Sequence, residues 1–319
     1  MSAVRSDQIE HLVMMATRAP SVHNTQPWRL TPSVDGLLLS RDRTRQLKAV
    51  DPDGRELLLS CGALLHHLEV AARAIGVDTQ VTLDLRGDAV ATIGLTPGAD
   101  PTEQEVAAAV AILQRHTYRG RFDEQSVSQD DLDRLGAAVE AQHELLRVVR
   151  PEEMTSVAVL LSRAEHALHD VDGYDEELAQ WVWHSQADEG RADGLPPDAV
   201  EHGDGRAETL AGREFGGAVP RPEEPPAPEH PTAVLLSSLG DSPPDWVQSG
   251  RALSALLLAA TEAGLLAQPL GQVIDLPASR YALRDLLGTV GSPQLLLRIG
   301  HGTSHPTTPR RPSTDVLTQ

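Results

Sequence analysis

The first segment whose side chains could bind a ligand is a polar loop, RAPSVHNTQPWRL, at residues 18–30. It offers hydroxyl, carboxamide and backbone donors, and it contains no carboxylate that would repel an anion. A carboxamide presents a donor and an acceptor together, so Asn24 and Gln26 would suit a neutral heterocycle with both kinds of group. Ser, Asn and Pro are also common turn residues, so a purely structural loop stays open as an alternative.

The second segment is RHTYRGRF at residues 115–122, which places three arginines around a threonine. Guanidinium groups bind phosphate through two parallel hydrogen bonds, so Arg115, Thr117 and Arg119 form a candidate phosphate site. A basic pair near the C-terminus, Arg310 and Arg311, could join them. The alternative interpretation is a charged loop that is simply solvated.

The composition excludes several classes of function. Lys48 is the only lysine among 27 basic residues, and no P-loop motif surrounds it. A net charge of -19 opposes general binding to nucleic acid or to an anionic membrane. With 4 Trp, 3 Tyr and 2 Phe, the chain has too few rings for a repeated base-stacking platform. Cys61 is the only cysteine, which forbids an internal disulfide.

Other motifs are weak or missing. The N-terminal segment lacks the apolar core of a signal peptide, and no apolar run reaches 18 residues, so we expect a cytoplasmic protein without a membrane span. His66 and His67 are adjacent on a helix and are expected to point in different directions. No complete set of metal ligands is evident, and we predict no metal. G-x-S-x-G does not occur, which argues against the usual hydrolase elbow.

The hydrophobic pattern predicts an α+β protein that positions these segments. Helices are expected at about 7–18, 55–75, 102–114, 129–142, 151–169, 172–185, 246–263 and 278–287. Strands are expected at 28–31, 37–40, 80–86, 89–95, 145–149, 232–238 and 294–299. Residues 186–231 carry weak signals for order.

Two long apolar helices indicate an internal duplication. Residues 61–76 align without gaps with 249–264, so that Gly62 meets Gly250 and Leu65 meets Leu253. We interpret the chain as two α+β halves that pack through these helices. Two unrelated helices of similar composition remain the alternative.

Both polar segments also resemble motifs of one enzyme family. P-S-x-x-N-x-Q-P-W after a first helix resembles the signature of the FMN-dependent nitroreductases, and R-x-[ST]-x-R resembles their phosphate-binding element. In typical members R-x-[ST]-x-R comes first, and two subunits together form the sites. The reversed order here is similar to the single-chain, internally duplicated branch typified by the mycobacterial Acg proteins, which retain one FMN site per chain.

This resemblance implies a fold of two fused nitroreductase-like repeats around central helices, with mixed β-sheets. The first half would cover residues 1–114. The second would cover 115–319 and include a lid at about 174–220. One chain would mimic the usual dimer, so a monomer is expected, while a homodimer stays open.

The resemblance also implies a role for individual residues. Those expected to line the flavin ring are Pro20, Ser21, Asn24 and Gln26, with Arg18 beside them. Arg115, Thr117 and Arg119 would hold the ribityl phosphate together with Arg310 and, less directly, Arg311. The loop expected near flavin N5 is Gln268, Pro269, Leu270 and Gly271.

In the lid, Trp181, Trp183 and His184 precede an acidic stretch. Because they are two residues apart, the two tryptophans cannot share one helix face, so one is expected to pack inward while the other faces the cofactor. A surface helix followed by a disordered loop is the alternative.

Two functions follow from the resemblance. The first is an NAD(P)H oxidoreductase that uses FMN to reduce a nitroaromatic, quinone or related small-molecule acceptor. In that scheme the flavin supplies the redox chemistry, so no catalytic side chain is predicted. The second is a protein that stores or sequesters FMN under a closed lid with little or no turnover.

Overall fold

The computed structural model describes residues 4–183, 188, 190–200, 210–213, 215, 229–303 and 307–318. His184, which the sequence assigns to the lid, lies outside these residues. The helices are α1 (Ser6–Ala16), α2 (Arg55–Arg73), α3 (Glu103–Gln114), α4 (Gln129–Glu140), α5 (Met154–His169), α6 (Tyr174–Trp181), α7 (Pro243–Glu262), α8 (Gln272–Asp275), α9 (Pro277–Leu287) and α10 (Ser313–Val316). The strands are β1 (Trp28–Ser33), β2 (Gly36–Arg41), β3 (Val77–Leu83), β4 (Ala89–Pro97), β5 (Leu145–Val148), β6 (Thr232–Ser238), β7 (Leu266–Leu270) and β8 (Ser292–Gly300).

The strands form two four-stranded sheets with the same topology. Their strand orders are β1-β2-β4-β3 and β5-β6-β8-β7. In both sheets the last strand in sequence lies between the second and the third, and a long helix connects those two. The predicted α+β fold is confirmed. The common origin of the halves stays a prediction, although an internal duplication would produce this shared order.

The prediction of mixed sheets is wrong, because every pairing between neighbouring strands of the two sheets is antiparallel. The strand–helix–strand pattern does bring β6 and β7 into the same direction. However, β8 runs back between them and pairs with both, and β4 does the same between β2 and β3. The parallel strands are therefore never hydrogen-bonded to each other.

The two sheets are held together by α2 and α7, which cross at a pair of glycines. A Cβ on Gly62 would overlap the carbonyl oxygen of Val247 and lie 3.1 Å from the Cα of Gly250. A Cβ on Gly250 would overlap the carbonyl oxygen of Leu59 and lie 3.0 Å from the amide nitrogen of Ala63. The backbones touch at this point, which only glycine allows.

The contacts at this crossing are reciprocal. Leu59 of α2 belongs to the hydrophobic core under the second sheet, and Val247 of α7 belongs to the core under the first. Leu59 and Val247 each precede the glycine of their own helix by three residues. Each helix thus inserts the residue at this position into the core under the other sheet.

The C-terminal segment returns to the first half. Val316 is buried in the first core, and Leu317 forms a parallel bridge with Leu30 of β1. The amide of Thr318 donates to the carbonyl of Leu30 at 2.9 Å. This crossing carries Arg310 and Arg311 to the polar loop after α1.

Within the described ranges, none of the helices combines the length and apolar character needed to cross a membrane.

The glycine crossing gives a stability prediction. Gly250→Ala should lower the free energy of unfolding by at least about 3 kcal/mol, because the new methyl group meets backbone that cannot move aside. Gly136→Ala on α4 is the matched control, since a Cβ there has nothing within 4 Å. The control should be neutral or stabilising by about 0.5–1 kcal/mol. Chemical denaturation of both variants measures this, and equal stabilities would contradict the backbone contact.

Candidate functional site

A cavity lies between the two halves, where α2, the loop after α1, the loop after α3 and β7 meet. Its empty volume, including the open space at its mouth, is about 790 Å³. Its apolar lining comes from residues of both halves, including Leu59, Leu253 and Leu295. The predicted site residues that line it are Pro20, Ser21, Thr117, Arg119, Gln268, Pro269 and Gly271.

The polar loop reaches the cavity in a strained conformation. His23, Asn24 and Gln26 have φ values of 45°, 55° and 50°, in the left-handed region that side chains disfavour. Non-glycine residues with such angles persist only where their surroundings hold them, and they cluster at functional sites. Here the amide of Gln26 donates to Ser21 Oγ at 3.0 Å, which closes the loop on itself.

Asn24 and Gln26 do not line the cavity, although the resemblance assigns them to the flavin ring. Both are buried, and their carboxamides bind other parts of the protein. Asn24 Nδ2 donates to the carbonyls of Gly194 and Pro309 at 3.0 Å each. Gln26 Nε2 donates to the carbonyl of Ala192 at 2.7 Å, and Gln26 Oε1 accepts from the amide of Arg311 at 2.9 Å. In this structure they tie the polar loop to residues 192–194 and to the C-terminal segment.

Two predicted phosphate residues, Arg115 and Arg310, converge on one carbonyl oxygen at the end of α1. Arg115 Nη2 and Arg310 Nη2 donate to the carbonyl of Arg18 at 3.1 and 3.3 Å. Arg115 Nε, Arg115 Nη1 and Arg310 Nε are buried and have no hydrogen-bond partner. Among the described residues no carboxylate pairs with either guanidinium. The two residues are 195 positions apart in sequence. They meet because the C-terminal segment crosses to the first half.

The electrostatics of this arginine pair are unfavourable without a counter-charge. Loss of solvent lowers the pKa of Arg115 to about 10, with a further contribution from Arg18. The pKa of Arg310 falls to about 9, first from burial and then from the charges of Arg115, Arg18 and Arg119. Buried charges are normally paired, so these groups fit an anion that binds from outside the protein.

Arg119 extends from this cluster into the cavity. Its Nη1 donates to the carbonyl of Ala199 at 3.2 Å, and its guanidinium lies 5.7 Å from the ring of Phe215. Burial lowers the pKa of Arg119 to about 10. His23 contacts the same Phe215 ring edge-on at 5.7 Å. Burial, and then the charges of Arg213 and Arg119, lowers the pKa of His23 well below 6.5, so its imidazole is neutral at pH 7.

On the opposite wall, β7 presents Gln268 and Pro269, and Gly271 follows the strand. Gln268 Oε1 accepts from Arg298 Nε at 2.8 Å, and Glu229 accepts from the same guanidinium at 2.9 Å. Leu270 is fully buried in the core behind the cavity and does not line it. The amide of Tyr118 donates to the carbonyl of Ala267 at 2.9 Å, which fixes the arginine loop beside this strand.

The remaining wall carries charged groups that the sequence did not reveal. Glu56 of α2 pairs with Arg55, and Arg213 pairs with Asp275. Burial raises the pKa of Glu56, and the charge of Arg55 only partly opposes this. The one available signal for Glu56 was a charged pair opening an otherwise apolar helix. Arg213 and Asp275 lie in different segments, and nothing in the local sequence links them.

A strap formed by residues 190–200 closes over the polar loop. Besides the bonds to Asn24 and Gln26, Asp193 forms an ion pair with Arg45 Nη1 at 2.8 Å. The predicted lid tryptophans anchor this strap. Trp183 Nε1 donates to the carbonyl of Asp193 at 2.9 Å, and the carbonyl of Trp181 accepts from the amide of Leu195 at 2.7 Å. Neither tryptophan lines the cavity.

Arg311 lies apart from the arginine pair. Its Nη2 donates to the carbonyl of Asp315 at 2.6 Å, and its Nη1 donates to the carbonyl of Gln26 at 3.2 Å. Arg311 therefore binds the C-terminal segment to the polar loop. Within the described part of the chain, no group of three or more acidic, histidine or cysteine residues is arranged to hold a metal.

Comparison with known proteins gives consistent matches. The family described as "Nitroreductase family" matches residues 112–301. "Putative NAD(P)H nitroreductase Rv3131" of Mycobacterium tuberculosis (strain ATCC 25618 / H37Rv) is 32% identical over 98% of this chain and 91% of that protein. "Putative NAD(P)H nitroreductase acg" of the same strain is 32% identical over 98% of this chain and 96% of that protein. A Bacteroides fragilis nitroreductase crystallised with FMN aligns over 65% of this chain and 96% of its own length, at 16% identity and a TM-score of 0.40.

The lack of a carboxylate partner for Arg115 and Arg310 gives a prediction for the protein without ligand. Arg115→Met should leave the melting temperature unchanged or higher, because it removes a buried charge without a partner. Inorganic phosphate should raise the melting temperature of the wild type and have little effect on the variant. Arg134→Gln is the control, because Arg134 is exposed and pairs with Asp131 on α4. An equal phosphate response in wild type and Arg115→Met would rule out Arg115 as an anion ligand.

Proposed function

This chain belongs to the nitroreductase family, and on that premise we propose that it binds one FMN in the cavity and transfers electrons from NAD(P)H to a small-molecule acceptor. The observation that carries the proposal is the arginine pair on the carbonyl of Arg18. It offers three unpaired N–H groups. Arg115 and Arg310 do not line the cavity themselves, but Thr117 and Arg119, in the same loop as Arg115, do. A phosphate monoester joined to a flat heterocycle satisfies both features.

The donor chemistry of the site fits FMN. Arg115 and Arg310 would hold the phosphate, and each charge-assisted hydrogen bond contributes about 1.5–3 kcal/mol. Thr117 and Arg119 connect this point to the cavity, where the ring would lie between Pro20–Ser21 and Pro269–Gly271. We expect Asn24 and Gln26 to shape the loop, since their carboxamides already have protein partners.

When bound, FMN supplies the hydride chemistry, and this chain provides binding, orientation and exclusion of water. Apolar side chains from both halves would cover the ring, and the strap would limit access of solvent. Nitroaromatics and quinones are the acceptor classes that we propose, with NADH or NADPH as donor. Because one chain supplies both halves of the site, we expect a monomer.

The strap favours a second candidate, storage of FMN without turnover. Its backbone is bonded to Asn24 and Gln26, and Asp193 pairs with Arg45. A strap held in this way would slow both the release of FMN and the approach of a nicotinamide. Its carboxylates would also repel the phosphates of a dinucleotide.

Reduction by NAD(P)H separates the two candidates. The protein is loaded with FMN, freed of oxygen and mixed with NADH or NADPH while the flavin absorbance band is followed. The enzyme predicts rapid bleaching with at least one donor. A protein that stays yellow with both donors would support storage, and failure to bind FMN at all would contradict both proposals.

The ion pair of the strap gives a second prediction. Asp193→Asn should speed the dissociation of FMN roughly 10-fold, because it removes a charge-assisted bond that holds the strap closed. Asp198→Asn changes the same charge at an exposed position of the strap and is the matched control. Release of FMN into excess apo-flavodoxin or another strong acceptor measures the rate. Identical rates in the two variants would show that the strap does not control release.

A further inference from the structure

A buried histidine of α2 has one ring nitrogen without a hydrogen-bond partner. His67 is in the middle of α2 and has no solvent exposure. Its Nδ1 lies 2.7 Å from the hydroxyl oxygen of Ser254 on α7. Its Nε2 is buried and has no hydrogen-bond partner. A buried polar atom without a partner is rare in proteins and calls for a ligand or another physical explanation.

Ser254 links this ring to a second histidine. Its hydroxyl oxygen also lies 2.7 Å from Nδ1 of His66, so the expectation that the two histidines point in different directions is wrong. A hydroxyl has one proton, so it donates to one ring and accepts from the other. If Ser254 donates to His67 Nδ1, the proton of His67 is on Nε2. His66 is then protonated on Nδ1 and donates to Ser254.

His67 and Arg115 lie beside neighbouring turns of α7. Arg115 lines a small cavity together with Leu257 and Thr261, which follow Ser254 on α7 by about one and two turns. Burial, and then the positive charges of Arg115, His66 and Arg310, lowers the pKa of His67 well below 6.5. His67 is therefore neutral and within electrostatic reach of both arginines.

We propose that His67 is a further ligand of the bound phosphate, donating from Nε2–H while Ser254 donates to its Nδ1. This inference rests on the proposed function, because the phosphate is taken to be that of FMN. An anion at this position would accept hydrogen bonds from His67 Nε2 and from the free N–H groups of Arg115 and Arg310. A neutral donor adds a directed hydrogen bond without adding to the repulsion between the two guanidinium groups.

Binding of FMN and riboflavin tests this directly, because riboflavin has the same ring without the phosphate. His67→Leu should weaken FMN binding roughly 10- to 100-fold and leave riboflavin binding unchanged. Ser254→Ala keeps the imidazole but removes the hydroxyl that fixes its tautomer, and it should weaken FMN binding by several-fold. Ser249→Ala, another buried serine of α7, is the matched control and should bind both ligands as the wild type does. Circular dichroism confirms that each variant is folded.

Nitrogen NMR of wild-type protein labelled at histidine gives a readout that needs no variant. The His67 Nε2 signal should be that of a protonated nitrogen already without ligand, and inorganic phosphate and FMN should each shift it further as the N–H gains a hydrogen-bond acceptor. Equal losses of FMN and riboflavin binding in His67→Leu, or an Nε2 signal that phosphate does not change, would overturn the role of His67. If the wild type binds FMN no better than riboflavin, the phosphate site of the proposed function fails as well. If inorganic phosphate shifts the His67 signal but the protein binds no FMN, His67 is still a ligand of an anion, whereas FMN as the cofactor is refuted.

Discussion

The backbone contact between α2 and α7 at Gly62 and Gly250 is the constraint on which the rest of the structure depends. Because no side chain separates the helices there, each inserts a residue into the core of the other half. The cavity lies at the edge of this crossing and takes Leu59 from one helix and Leu253 from the other. A wider crossing would separate its two walls.

A second consequence concerns charge. The crossing and the returning C-terminal segment bring Arg115 and Arg310 to one carbonyl oxygen, although the described residues offer them no carboxylate. Two buried guanidinium groups without a counter-charge lower the stability of the protein. The anion that we propose to bind there would offset this cost, so the same groups would lower stability and provide binding. The overall charge of -19 conceals this local positive site.

The sequence predicted much of the fold and part of the site. The apolar pattern located the long helices and most strands, and the alignment of α2 with α7 paired the two glycines that meet in space. It could not show that β4 and β8 each insert between two strands, because strand order is a long-range property. The arginine pair was predicted from its residue types. The roles of Asn24 and Gln26 depend on the strap, whose contacts have no local signature. His67 and Arg213 were missed for a similar reason, since their partners Ser254 and Asp275 are distant in sequence. Glu56 pairs with its neighbour Arg55, and a charged pair at the start of an apolar helix was too weak a signal.

The electron density of the flavin in crystals grown with FMN would show most directly where the phosphate binds. We predict one FMN per chain, with its phosphate within hydrogen-bond distance of the free N–H groups of Arg115 and Arg310. Its ring should lie between Pro20–Ser21 and Pro269–Gly271. A phosphate bound elsewhere, or a cavity without flavin while both arginines pair with carboxylates of the protein, would contradict it.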